Sequence, residues 1–249
     1  MIRCAVSGAG GKLAGPIISA IDSAEDFEVA CLFNPNRPGQ ELAGYAIASD
    51  PSEVDADVLI ETAHPDVVFD NLAVWNEKRL GTVVGTSGFT PDRLDRLREM
   101  WTQDVACLVV PNFSIGAVLM MRFAAEAASH FEAVEIIERH HSTKPDAPSG
   151  TALATAMGVS SGGGSSANNS DELVVGALGA SVEGVRVHSL RLPGLISQQE
   201  VALSNSGEVL SIEHLSTSYD SFAAGAVLAA RNLSALPGGV HLGLDAILK

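Results

Sequence analysis

The stretch IRCAVSGAGGKLAG, residues 2–15, decides the fold because it joins a strand-like apolar run to a helix through glycines. Gly8, Gly11 and Ala14 occupy the small positions of a G-x-x-G-x-x-A pattern. The first position allows a tight turn, the second lets backbone amides approach a pyrophosphate, and the third permits close packing of helix on strand. A glycine triplet in this strand–turn–helix context predicts a nucleotide-binding turn. The predicted contacts also include Gly10, Lys12 and Leu13.

The first 112 residues continue this alternation of short apolar strands and helices. Strands are predicted at 2–7, 27–33, 57–63, 82–86 and 105–110, and helices at 13–21, 65–79 and 91–101. Pro65 and Pro91 stand where a first helical residue is expected, and Thr90 is a candidate cap. The strands are rich in Val, Ile and Leu on both faces, which is typical of a buried parallel sheet. This half of the chain predicts a Rossmann-like, doubly wound α/β domain.

The character of the sequence changes after a predicted long helix at 114–131. Strand-like runs follow at 133–141, 184–192, 197–205 and 208–216, and a helix is predicted at 221–233. Loops rather than regular crossover helices separate most of these strands, which favours a mixed or antiparallel sheet with one open face. We therefore expect an α+β second domain at 113–221. The first domain, 1–112, is expected to receive a C-terminal helix within 222–249.

Composition excludes several classes of function. A net charge of −15 and a pI near 4.7 argue against nucleic acid as a partner. Cys4, Cys31 and Cys107 fit no disulfide or zinc spacing, which favours a reducing cytoplasm. Glycines interrupt the N-terminal apolar run, and Arg122 and Glu126 interrupt the most apolar helix. No signal peptide or membrane span is predicted.

The end of the second predicted strand bears on the choice of dinucleotide. An acid there would bind the ribose hydroxyls of NAD, but this chain has Asn34, with Arg37 three residues later. An amide does not repel a 2′-phosphate, and a guanidinium can pair with one. This pattern favours NADPH. A solvated turn is the alternative for Arg37, and it leaves NADH possible.

The stretch ERHHSTKPDAPSGTAL, residues 138–153, collects scarce basic groups in an acidic chain. His140 and His141 are adjacent, so on a strand they point to opposite faces and do not readily chelate one metal. Together with Lys144 they suit a different task, which is to neutralise an anionic substrate and deliver a proton. A zinc site is therefore the weaker hypothesis, and no metal is predicted.

A helix is predicted to begin directly after this basic cluster. Its first amides come from Ser149, Gly150 and Thr151, and the N-terminus of a helix attracts anions. Glu138 can orient the histidines or pair with Arg139. Strand alternation places His188 on one face of its strand and Arg191 on the other.

The segment EIIERHHSTKPDAPSGTAL, residues 135–153, resembles the signature of the dihydrodipicolinate reductase family. Similar motifs occur along nearly the whole chain, at 8–15, 64–72, 83–90, 109–119 and 187–201. The resemblance implies a Rossmann domain that carries NADPH or NADH and a second domain that binds substrate and forms a homotetramer. It also implies reduction of a cyclic unsaturated imine dicarboxylate in lysine and diaminopimelate biosynthesis, in the cytoplasm.

The resemblance also implies roles for individual residues. His140 would be the acid/base group, Lys144 the proton donor and His141 a substrate ligand. Three backbone positions would form the carboxylate cradle: Ser149, Gly150 and Thr151. Two further sets would flank the nicotinamide: Gly85, Thr86 and Gly88 as its lining, and Pro111, Asn112 and Phe113 as a hinge beside it.

Several positions depart from the family pattern. They are Glu61, Thr62 and Ala63 at the end of the third predicted strand, then Leu178, Glu213, Leu215 and Tyr219. The catalytic segment is intact, which favours the family's own reaction. The departures favour a paralogue that reduces a different cyclic imino acid. A catalytically silent nucleotide-binding homologue is a third hypothesis, which would predict damage in the His-Lys segment.

Overall fold

The computed structural model describes residues 1–167 and 170–248. The chain forms two compact units. The first unit contains Met1–Ile115 together with the segment that begins at Tyr219, and the second unit contains Gly116–Ser218. No helix among the described residues is long and apolar enough to cross a membrane.

The helices and longer strands follow the predicted order, with four short strands added. In chain order they are β1 (Ile2–Ser7), α1 (Ala14–Asp22), β2 (Phe27–Phe33), β3 (Glu41–Leu42), β4 (Tyr45–Ala48), β5 (Val58–Glu61), α2 (Val68–Glu77), β6 (Gly81–Val84), α3 (Pro91–Met100), β7 (Ala106–Val109), α4 (Ile115–Ala127), β8 (Ala133–His140), α5 (Gly150–Ser161), β9 (Ala180–Val182), β10 (Val185–Arg191), β11 (Ser197–Asn205), β12 (Glu208–Ser216), α6 (Asp220–Asn232) and β13 (Gly239–Leu242).

The first unit is built on an eight-stranded sheet in the order β13-β7-β6-β5-β1-β2-β4-β3. All neighbouring strands are parallel except β3 and β4, which form a small antiparallel pair at one edge. Apolar side chains of α2 and α3, including Trp75 and Leu97, share one buried cluster with strand residues such as Leu59. Helix α1 packs against α6. This arrangement confirms the predicted doubly wound, Rossmann-like fold.

Helix α2 begins later than the sequence predicted. It starts at Val68 rather than at Pro65, because the carbonyl oxygen of His64 first accepts the backbone N–H groups of Val67 and Val68 in a turn. Helix α3 does begin at Pro91. The hydroxyl oxygen of Thr90 caps it by accepting the N–H of Arg93 at 3.4 Å.

The helix predicted at 221–233 is present as α6, Asp220–Asn232, but the segment 222–249 as a whole is not one helix. Helix α6 ends at Asn232, and β13 follows and pairs in parallel with β7. Gly239 opens this strand with a φ of +111°, a conformation that L side chains rarely adopt. A Pro-Gly-Gly sequence therefore redirects the chain from helix into an edge strand, which completes the sheet of the first unit.

The second unit contains a five-stranded sheet in the order β12-β11-β8-β10-β9. Strands β8 and β10 are parallel and the other pairs are antiparallel, so the sheet is mixed as predicted. Apolar residues of α4 and α5 pack on one face of it, against side chains such as Ile136, Val187 and Val201. We call this the helix-covered face. The opposite face, which carries Val209 and Leu215, is the open face.

Candidate functional site

The first unit contains a cavity of about 680 Å³ at the carboxyl ends of its central strands. Strand order reverses between β1 and β5, and ligands of doubly wound folds bind at such a reversal. The lining includes eight predicted cofactor contacts: Gly8, Gly10, Gly11, Leu13, Asn34, Arg37, Gly85 and Thr86. The sequence and the topology therefore point to the same crevice.

The glycine turn forms one wall of this cavity, and backbone atoms leave no room for a side chain at Gly8. Gly8 has a φ of +83°, and a Cβ there would lie 2.7 Å from the backbone nitrogen of Ala63. Gly10 has a φ of +90°, and its Cβ would lie 2.7 Å from the Cζ of Arg37. A backbone surface of this kind, with its amides unshielded by side chains, fits the pyrophosphate of a dinucleotide.

Asn34 and Arg37 occupy different parts of the same wall. The side-chain amide of Asn34 donates to the carbonyl oxygen of Ala9 at 2.7 Å, so it braces the glycine turn. The guanidinium of Arg37 lies above Gly10 and donates to Gln40 at 3.3 Å. Arg37 thus places a positive charge beside the glycine turn.

The other five predicted cofactor contacts do not line this cavity. They are Lys12, Gly88, Pro111, Asn112 and Phe113. Lys12 is exposed at the glycine turn. Phe113 is buried, and its ring lies so close to Gly85 that a Cβ at Gly85 would overlap it. Phe113 therefore shapes this end of the first unit from behind Gly85 instead of facing the cavity.

Glu61, which sequence reasoning treated only as a departure from the family pattern, is an organising residue of this region. It is fully buried at the end of β5. Its carboxylate accepts the backbone N–H of Ala63 at 2.8 Å, the amide of Asn71 at 3.2 Å and the indole N–H of Trp75 at 2.8 Å. Burial raises the pKa of Glu61, while the hydrogen bonds from Trp75 and Ala63 act in the opposite direction.

The neighbouring residues of this departure also have defined partners. The hydroxyl of Thr62 donates to the carbonyl oxygen of Ser7 at 2.8 Å, which ties β5 to β1. The hydroxyl of Thr86 donates to the carbonyl oxygen of Ala63 at 2.8 Å. Glu61, Thr62 and Ala63 thus fix the loop that lines the cavity next to the predicted nicotinamide contacts.

In the second unit, His140 lies at the end of β8 on the helix-covered face. Its Nδ1 is 2.5 Å from the carboxylate of Glu138, and its Nε2 is 3.1 Å from the hydroxyl of Ser197 on β11. Glu138 therefore contacts His140 and not Arg139, which pairs with Glu200 at 3.4 Å on the open face. The structure decides between the two sequence-based alternatives for Glu138.

Arg191 joins the same cluster from β10. Its Nη1 and Nη2 donate to the two carboxylate oxygens of Glu138 at 2.9 and 2.8 Å, and Nη2 also donates to the carbonyl oxygen of Asp146 at 2.6 Å. The backbone N–H of Ser149 donates to Glu138 at 3.3 Å. The sequence predicted that Arg191 and His188 lie on opposite faces of β10. His188 does lie on the open face, where its Nε2 is 2.5 Å from the carboxylate of Glu135.

The other predicted substrate contacts surround this cluster. Lys144 pairs with Asp146 at 2.7 Å, and its hydrogen bond lowers the pKa of the Asp146 carboxyl. His141 lies just beyond β8, and its Nδ1 is 2.8 Å from the hydroxyl of Thr143. The two histidines therefore have separate partners.

The predicted carboxylate cradle coincides with the start of α5. Ser149 is the N-cap, and its hydroxyl oxygen accepts the N–H of Ala152 at 3.1 Å. Gly150 and Thr151 are the first helical residues, so two of the three cradle positions lie in the first turn. Within the described part of the chain no three His, Cys, Asp or Glu side chains form a group that could hold a metal.

Comparison with known proteins matches both halves of the chain to one family. Residues 2–113 match "Dihydrodipicolinate reductase, N-terminus" and residues 116–248 match "Dihydrodipicolinate reductase, C-terminus". The chain is 42% identical over 253 residues to a 4-hydroxy-tetrahydrodipicolinate reductase from Mycolicibacterium gilvum, covering 99% of each chain. It is 41% identical over 255 residues to the protein of that name from Thermobifida fusca, covering 100% of this chain and 99% of the other.

A solved structure agrees with these sequence matches. The dipicolinate-bound dihydrodipicolinate reductase from Paenisporosarcina sp. TG-14 superposes with a TM-score of 0.86 at 32% identity. The match covers 100% of both chains. The likeness therefore includes both units.

Proposed function

This chain belongs to the dihydrodipicolinate reductase family, and we propose that it reduces 4-hydroxy-tetrahydrodipicolinate to tetrahydrodipicolinate in lysine and diaminopimelate biosynthesis. The observation that carries this proposal is the intact His140 cluster. In one short segment it combines a histidine bonded to a buried carboxylate, a lysine and the N-terminus of α5. These groups suit a dicarboxylated substrate that must be protonated during reduction.

The first unit is proposed to bind the reduced dinucleotide in the 680 Å³ cavity. The side-chain-free turn at Gly8 and Gly10 would hold the pyrophosphate, and Gly85 and Thr86 would lie at the nicotinamide end. NADPH is the proposed preferred form because Arg37 can pair with a 2′-phosphate and Asn34 does not repel it. When bound, this cofactor supplies the hydride.

The second unit is proposed to bind the substrate and manage its protons. The amides of Ser149, Gly150 and Thr151 would hold one carboxylate, and His141 would contact the substrate beside it. Loss of the 4-hydroxyl group as water would give the conjugated imine, and hydride addition to this imine would leave an enamine-like anion. Once the ammonium group of Lys144 leaves Asp146, it would protonate this anion. His140 would serve as the acid/base group and would exchange its proton through Nε2.

Two further properties are part of the proposal. Homotetramer formation through the second unit is supported by the open face, where Val209 and Leu215 are exposed on β12 and Leu190 is exposed on β10. A cytoplasmic location is supported by the cysteines, all three of which are free thiols. Light scattering of the purified protein tests the assembly, and a single monomeric species would contradict it.

The altered stretch Glu61–Ala63 favours a second candidate, a reductase for a different cyclic imino acid. Both candidates are tested by following the oxidation of NADPH and, in parallel, NADH by the purified protein. The substrate is generated in situ from its enzymatic precursors. Rapid turnover with 4-hydroxy-tetrahydrodipicolinate supports the family reaction. Tight NADPH binding without turnover would refute it and favour the paralogue, which a panel of cyclic imino acids would then identify.

A further inference from the structure

Glu138 is a fully buried carboxylate that the proposed reaction does not use directly. It receives hydrogen bonds from three separate segments of the second unit. They come from His140 on its own strand at 2.5 Å, from both terminal nitrogens of Arg191 on β10, and from the backbone of Ser149 before α5. A buried acid with this many donors is built to stay ionised.

The charge of this carboxylate is fixed by its partners. Burial alone would raise the pKa of Glu138, but the hydrogen bonds from His140 and Arg191 outweigh burial and lower this pKa to about 2. The carboxylate is therefore an acceptor throughout the neutral range. Arg191 supplies the compensating charge, because a bidentate guanidinium matches both carboxylate oxygens.

An ionised Glu138 has a direct consequence for His140. Since the carboxylate can only accept, Nδ1 of the imidazole must carry a proton and donate it to Glu138. The proton that can exchange is then on Nε2, which lies 3.1 Å from the hydroxyl of Ser197. The three polar groups around this imidazole are thus Glu138 on β8, Ser197 on β11 and, through Glu138, Arg191 on β10.

The same carboxylate also reaches the segment before α5. Arg191 donates to the carbonyl oxygen of Asp146 while it holds Glu138, and Glu138 accepts the N–H of Ser149. One ion pair therefore connects the proton-exchanging histidine to the turn that carries the lysine's partner and to the first position of the cradle.

We propose that Glu138 and Arg191 are a pair of positioning residues for this reaction. Glu138 sets the tautomer and orientation of His140, and Arg191 holds that carboxylate and the turn before α5 in one arrangement. The pair acts through His140 and the cradle and does not itself touch the reacting atoms. This inference rests on the proposed function, because it assigns His140 the proton exchange and the cradle the substrate carboxylate.

The test compares Glu138→Gln with a matched control, Glu135→Gln. Glu135 bonds His188 at 2.5 Å between the same two strands, but on the open face. Glu138→Gln is expected to lower kcat about 10- to 100-fold and to leave the dissociation constant of NADPH within about twofold. Glu135→Gln should stay within about twofold of wild type in both quantities.

The pH profile separates positioning from a merely structural role. Without the carboxylate, Nδ1 of His140 has no acceptor that fixes its proton, so the pH profile of kcat should differ in shape from that of wild type. A pH profile that matches wild type, at any level of kcat, would overturn the inference.

A second variant guards against misfolding, because Glu138→Gln leaves the half-buried Arg191 guanidinium without its carboxylate partner. The double variant Glu138→Gln/Arg191→Met removes that stranded charge. It is expected to recover the unfolding temperature but not kcat. Recovery of kcat together with stability would overturn the inference, because the pair would then serve stability alone.

A binding measurement keeps this test independent of the proposed reaction. Calorimetry with dipicolinate, a planar dicarboxylate, needs no turnover. Glu138→Gln should weaken dipicolinate binding about tenfold, and Glu135→Gln should leave it unchanged. If wild type fails to reduce the substrate, the proposed function fails. The dipicolinate comparison still tests the positioning role. Equal dipicolinate affinities of wild type and Glu138→Gln would overturn that role.

Discussion

Replacing Glu61 by Gln perturbs the loop beside the cofactor cavity without changing side-chain size. The wild-type carboxylate accepts three N–H donors, one on Oε1 and two on Oε2. A Gln amide has one oxygen and one NH₂ group. If its oxygen faces Asn71 and Trp75, its NH₂ group faces the backbone N–H of Ala63, and both donors are left buried without an acceptor.

The expected cost follows from that loss. A buried donor left without an acceptor costs about 1–3 kcal/mol, so Glu61→Gln should destabilise the first unit by about that amount at pH 5. Both tryptophans of the chain, Trp75 and Trp101, lie in the first unit. Urea unfolding followed by intrinsic fluorescence therefore reports on this unit, and a shift of its midpoint by about 1 M is expected.

The pH dependence tests the physical cause. Burial raises the folded-state pKa of Glu61 above its ordinary value of 4.5. Protonated Glu61 therefore contributes its full stabilisation to the folded state below pH 4.5. This contribution is lost as the pH rises through the folded-state pKa. The Gln variant has no such titration. The free energy of unfolding of wild type should therefore exceed that of the variant by less at pH 8 than at pH 5. Each unit of pKa elevation narrows the gap by about 1.4 kcal/mol.

A control and a refuting result complete this experiment. Glu77→Gln changes an exposed carboxylate at the end of α2, and its effect should stay below about 0.5 kcal/mol at both pH values. A gap between wild type and Glu61→Gln that widens from pH 5 to pH 8 would refute the reasoning. It would show that the three donors outweigh burial.

Three further predictions concern the two sites. His140→Ala and Lys144→Ala should each lower kcat about 10²- to 10⁴-fold. Their NADPH affinity, measured by fluorescence titration, should change less than about threefold. A large loss of NADPH affinity would contradict the roles assigned to these residues. Asn34→Asp should weaken NADPH binding about 10- to 100-fold and NADH binding much less, because a carboxylate repels the 2′-phosphate. Equal losses of affinity for NADPH and NADH would instead indicate a displaced glycine turn. Gly8→Ala should weaken the binding of both NADPH and NADH and lower the unfolding temperature by several degrees. The reason is that the new Cβ would lie 2.7 Å from the backbone nitrogen of Ala63. Unchanged cofactor binding would show that the turn does not hold the dinucleotide.

Much of the fold was predictable because local patterns and long-range packing agree. The runs 2–7 and 27–33 form strands with the predicted bounds, and helix α3 begins at Pro91 as expected. The short strands β3, β4, β9 and β13 were missed. Each has only two to four residues, so their conformation depends on the pairing partner more than on their own sequence.

The candidate sites were predictable where a motif is contiguous and not where contacts join distant segments. His140 and Lys144 stand in one recognisable stretch. Arg191 and Ser197 lie more than 50 residues along the chain from His140, and only the register of β8 with β10 and β11 brings them together. Strand alternation did give the face of Arg191, so a sheet register was the missing information. Glu61 was misjudged because its role depends on donors from α2.

The return of the chain to the first unit has a consequence for biosynthesis. During translation, residues 1–115 leave the ribosome before α6 and β13 exist, so β7 is for that time an unpaired sheet edge and α1 lacks its neighbour. The second unit, which is continuous in sequence, can fold while the first still waits for its last strand. Folding intermediates of this protein should therefore have an ordered second unit beside an incomplete nucleotide-binding sheet, and unpaired edges of that kind promote aggregation.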